Sequence, residues 1–192
     1  MSTDINASTY TKAFLQRVDA LPKSSGLSLD TVLASSIEHE ADLRRLYAQD
    51  RNNVRIADPY VGLISVFDAP ASIRTTRARV AKDEEEFSSK YVFPLRDDRR
   101  REDGDLCTAE SIGDFQKNWS IFTEGSLSQL TDWNNVIAAG GSVLGCLLPL
   151  SEKNKESKRN IRKYYHSEGY PTSDIDLFIW GLNAQEVQPF FY

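Results

Sequence analysis

Residues 140–182 read GGSVLGCLLPLSEKNKESKRNIRKYYHSEGYPTSDIDLFIWGL, and they come directly after the short apolar run VIAA (136–139). The run predicts a β-strand. Gly140, Gly141 and Ser142 turn the chain, and VLGCLLPL predicts a helix interrupted by Gly145 and ended at Pro149. Where a strand turns through glycines into a helix, free backbone N–H groups face outward, in a setting that suits phosphate oxygens. Glycine allows close backbone approach, and a serine at the cap can add a hydroxyl bond. Many strand–turn–helix units contain GGS for conformational reasons alone.

SDIDLFIWGL (173–182) predicts a second strand, buried to judge by Ile175, Leu177, Phe178, Ile179 and Trp180. Side chains alternate along a strand, so Asp174 and Asp176 share one face. Two carboxylates on one face repel unless a cation sits between them, and hard oxygen ligands suit Mg²⁺. A structural reading competes: Asp174 caps the strand, and Asp176 pairs with an arginine or with backbone N–H groups.

Taken together, the GGS turn and the later D-x-D strand resemble the nucleotidyltransferase superfamily, the DNA polymerase β-like fold. The resemblance covers about Val136 to Leu182. It implies that Gly140, Gly141 and Ser142 bind nucleotide phosphates. It also implies that Asp174 and Asp176 are catalytic metal ligands holding Mg²⁺ against a nucleoside triphosphate. The implied fold class is α+β, with a helical N-terminal region (1–108) packed on a small, incomplete nucleotidyltransferase-like sheet with helices (109–192).

The chain departs from the family pattern in two places. Ser142 and Asp174 stand 32 positions apart, with a basic insert at 151–170 between them. That insert carries six Lys or Arg residues against three glutamates. It predicts an exposed, mobile loop. A second reading makes it a flap for RNA or another nucleic acid, with Tyr164 and Tyr165 as stacking faces. The family's third carboxylate sits on a later strand, and only 16 residues come after Asp176. The expectation is therefore a truncated domain that binds Mg-nucleoside triphosphate with little or no transfer activity. The alternative is a non-catalytic interaction protein with a vestigial site.

The whole chain has 192 residues, 40% hydrophobic and 27% charged, with a net charge of -5. That supports a folded core and argues against a protein that coats nucleic acid over its whole surface. No apolar run approaches the roughly 20 residues of a membrane span. The N-terminus lacks a secretory pattern. Two cysteines, Cys107 and Cys146, are too few for a disulfide framework, so an intracellular location is expected, cytoplasm or nucleus.

Helices are predicted at 8–21, at 29–50 with Ser28 as its cap, from about Ala71, at 109–122 and at 126–131. YVGLISVF (60–67) predicts an early strand. RDDRRREDGD (96–105) reads as a hydrated loop. Without a linker between the two regions, one packed unit is expected.

Overall fold

The computed structural model describes residues 3–21, 29–77 and 101–188. The chain is α+β, and its contacts form two compact units, Met1–Asp105 and Leu106–Tyr192, rather than the single unit expected.

In the first unit, α1 (Thr3–Asp19) and α2 (Leu29–Gln49) are the two long helices. The Tyr10 ring stacks on His39 at 3.7 Å between centroids, joining α1 to α2. Arg77 closes the end of α1: its guanidinium donates to the Val18 and Leu21 carbonyls at 2.8 Å each. The last carbonyls of a helix have spare acceptor capacity, and a cation suits the negative end of the helix dipole. No described residue of this unit is fully buried.

Two predicted elements fail here. Residues 60–67 form no strand: 60–62 and 66–67 are turns and 63–65 irregular, with Gly62 at φ +79°. The apolar run has no neighbouring strand among the described residues, and an isolated strand leaves its backbone groups unpaired. The helix from Ala71 is a single 3₁₀ turn, Ala71–Ile73, and it goes no further through Arg77. The predicted cap Ser28, and residues 96–100 of the arginine–acid run, lie outside the described residues.

The second unit holds the core. α3 (Ile112–Phe122) starts at Ser111, whose Oγ accepts from the Asp114 N–H. That places its start three residues later than the apolar pattern predicts, because the capping hydroxyl fixes the first turn. The predicted helix at 126–131 is a run of turns to 129 and irregular after it. β1 (Val136–Ala139) leads through Gly140 into α4 (Gly141–Leu147), as the sequence predicts.

The insert then folds instead of fraying. α5 (Glu152–Lys155) and α6 (Lys158–Lys163) are capped by Ser151 and Ser157, and a π-turn covers Tyr164–Gly169. Ile161 and Tyr165 are 1% and 0% exposed and pack with Phe122, Cys146 and Leu150 as the centre of the core. The expectation of an exposed loop without an apolar face is therefore wrong. Two residues at i and i+4 suffice to anchor a short charged helix. Tyr165 meets Phe122 edge to face at 5.3 Å.

β2 (Asp176–Ile179) closes a two-stranded antiparallel sheet with β1. A capped turn, α7 (Ala184–Val187), comes after it.

Candidate functional site

The register places Ala139 opposite Asp176 and Ile137 opposite Phe178. Cross-strand partners share a face, so Asp176, Phe178, Ile137 and Ala139 line one side of the sheet. Val136 and Ile179, paired likewise, line the other side, where Val136 is buried. The sheet thus turns one face to the core and the Asp176 face outward. The strand is not buried as its composition suggests: Phe178 and Trp180 are exposed, and so is Leu177, which stands opposite Ala138 on the Val136 side. In a sheet of two strands both are edges, and packing covers one face only in part.

Asp176 reaches back along this face onto the turn. Its carboxylate lies against Gly140, in the space a β-carbon there would fill. Gly140 has φ +82° and ψ -161°, a conformation open essentially to glycine alone. The Ser173 hydroxyl sits 3.6 Å from the β-carbon position of Gly141. Gly140, Gly141 and Asp176 are therefore brought together at one exposed corner.

Asp174 is exposed and precedes the paired part of β2 by two residues, so only one of the two acids lies on the ladder. Neither carboxylate has a hydrogen bond or ion pair among the described residues. The alternative in which Asp176 pairs with an arginine therefore has no support there. Two free carboxylates supply the kind of oxygen donors Mg²⁺ takes. Among the described residues no group of three or more His, Cys, Asp or Glu side chains could hold a metal by itself.

Ser142 is fully buried, and its hydroxyl has no hydrogen-bond partner among the described residues. It lies one turn before Cys146 on α4, and both face inward. The part of the turn open to a ligand is the backbone of Gly140 and Gly141, both exposed. Cys146 itself is inert: burial pushes its thiol up to about 12. Burial likewise raises the Tyr165 and Tyr170 hydroxyls.

The insert's cations divide into two sets. Lys155 bonds Glu152 at 3.0 Å and Glu110 at 3.3 Å, Arg162 bonds Glu124 at 2.6 Å, and Lys163 bonds Glu168 at 2.8 Å. The Glu152 hydrogen bond leads the effects that raise Lys155 above the usual lysine range. Lys153, Lys158 and Arg159 are exposed and make no ion pair among the described residues. Tyr165 cannot stack on a base, because it is buried in the core.

A separate cavity of about 140 Å³, lined by Glu110, Asp114, Lys117, Asn118 and Lys155, includes neither Asp174 nor Asp176 nor the glycine turn.

Ser173 joins this corner without having been predicted there. A hydroxyl next to D-x-D was its one signal in the sequence. Comparison with protein-family models, curated proteins and solved structures returns no match. Among the described residues no helix is long and apolar enough to cross a membrane.

Proposed function

We propose that the second unit binds a magnesium–nucleoside triphosphate at the corner formed by Gly140, Gly141 and Asp176, with Asp174, two residues before the ladder, as the second acid, in the manner of a nucleotidyltransferase. One observation carries the reading: the Asp176 carboxylate packed on Gly140 of the turn. Asp174 and Asp176 would hold the metal, which would supply positive charge to the phosphates, and the glycine backbone would meet phosphate oxygens through its N–H groups. Ser142 contributes its backbone N–H and not its hydroxyl, which is buried.

Transfer needs a group that takes the proton from the acceptor hydroxyl. No third carboxylate joins the pair among the described residues. We therefore assign binding with little or no transfer activity. An RNA or other nucleic-acid acceptor would meet Lys153, Lys158 and Arg159, the insert's cations without an ion pair among the described residues. Two free thiols fit a reducing compartment, cytoplasm or nucleus. Titration of the protein with Mg²⁺ and nucleoside triphosphates by calorimetry tests this reading. Heat that depends on both supports it, and no binding refutes it.

A second reading has its own observation. The first unit has no fully buried residue among those described, and Ile37, Tyr47, Val54, Tyr60 and Leu63 are exposed. Such a surface suits protein docking, and under this reading the chain is a non-catalytic interaction protein whose aspartate corner is vestigial.

A further inference from the structure

The outward face of the sheet changes character along its length. At one end stand the Asp176 carboxylate and the glycine turn. Two residues along β2, about 7 Å away by strand geometry, stands Phe178, with Ile137 directly opposite on β1. Phe178 is 56% exposed and Ile137 48%, and both project from the side that lacks a core. Trp180 comes two residues later, 38% exposed. At the acid end Ala139, directly opposite Asp176, adds only a methyl group to this face.

A face with the free Asp176 carboxylate at one end and an aromatic at the other is a poor match for an apolar protein patch. Covering it would strip water from that carboxylate without replacing it. A ligand with a cation-bound anionic end and a planar end suits both halves. Resting on the metal–phosphate reading of the corner, we propose that Phe178, flanked by Ile137, is the platform on which the base of the metal-bound nucleotide stacks. Phe178 fixes affinity without choosing the base, because every base offers a π-face and the pair brings no hydrogen-bonding group.

The test compares inorganic tripolyphosphate with ATP, GTP, CTP and UTP, each with Mg²⁺, by calorimetry on the full chain. The four nucleotides are expected to bind about 5- to 100-fold more tightly than tripolyphosphate, with little difference among them. Phe178→Ser should bring the nucleotides down to the tripolyphosphate level and leave tripolyphosphate binding unchanged. Phe178→Trp should keep the difference. Nucleotides no tighter than tripolyphosphate in the parent protein would overturn the platform and leave the metal–phosphate reading standing. So would loss of tripolyphosphate binding in Phe178→Ser. Failure of both ligand types to bind would overturn the metal–phosphate reading and the platform with it. Self-association that Phe178→Ser abolishes, seen by sedimentation, would assign the face to a second copy of the chain and overturn the platform.

Discussion

The Asp176 carboxylate lies against Gly140, filling the place a side chain on that residue would take. The two residues are 36 positions apart in sequence. Gly140 comes directly after β1, and Asp176 opens β2, so the antiparallel pairing brings them to the same end of the sheet. The approach is possible because Gly140 combines the absence of a β-carbon with a backbone conformation that L-residues avoid.

Gly140→Ala should therefore be costly and Gly141→Ala cheap. The first adds strain worth about 1–3 kcal/mol and displaces Asp176. The second meets only the Ser173 hydroxyl at an ordinary 3.6 Å, at the first position of a helix. It should change stability by less than about 1 kcal/mol. Urea unfolding of the two variants measures the difference, and equal costs would refute the packing of Asp176 on the turn.

Ile161→Ala should destabilise the chain by about 2–5 kcal/mol, as for a large aliphatic residue removed from a packed core. Lys158→Ala, three positions earlier on the same short helix, should stay within about 0.5 kcal/mol. Both are read from denaturant midpoints. A near-neutral Ile161→Ala would return the insert to the status of a loose loop.

These residues show where the sequence is legible. VIAA and the GGS turn announce β1 and the start of α4, because a β-branched run ended by paired glycines has few other solutions. The paired acids mark β2, though the ladder begins only at Asp176. The insert misleads because six cations and three glutamates outweigh Ile161 and Tyr165, whose i, i+4 spacing after the cap Ser157 is the true signal. YVGLISVF misleads in the opposite way. Strand propensity describes a fit to a neighbouring strand, and among the described residues no such neighbour accompanies Gly62 and its turns. The outward exposure of Phe178 is hidden for a related reason: burial depends on the number of layers, which one strand's composition does not reveal.

Cys146 should resist alkylation in the native protein at pH 8 and react only on unfolding. Its thiol is held at about 12 by burial, above the 9.0 of an unperturbed thiol, so almost none is thiolate at pH 8. The same shift sets a pH dependence. The unfolded chain loses this proton above about 9 and the folded chain keeps it to about 12. Stability from this group is thus complete below pH 9 and lost as pH rises toward 12. Mass spectrometry after iodoacetamide treatment, with and without urea, locates the modified thiol. Rapid native labelling of Cys146 would contradict its place in the core.

The purified chain should show little or no nucleotidyl transfer, whatever its affinity for nucleotide. General-base assistance is worth about 10²- to 10⁴-fold in typical sites, and no third carboxylate joins Asp174 and Asp176 among the described residues. A labelled-triphosphate assay with Mg²⁺ measures this. Efficient metal-dependent transfer would require a base elsewhere in the chain and contradict the assignment of binding alone.

The most direct test of the metal–phosphate corner is calorimetry of Mg-nucleoside triphosphate with the parent chain and with Asp174→Asn plus Asp176→Asn. Both side chains are exposed, and Asn matches Asp closely in shape, so the double variant should fold normally. Binding to the parent chain should require Mg²⁺, and the double variant should lose roughly tenfold or more of that affinity, about 1.4 kcal/mol at the least. Metal-dependent binding of equal strength in the two proteins, or none in the parent chain, would contradict a site built on these aspartates.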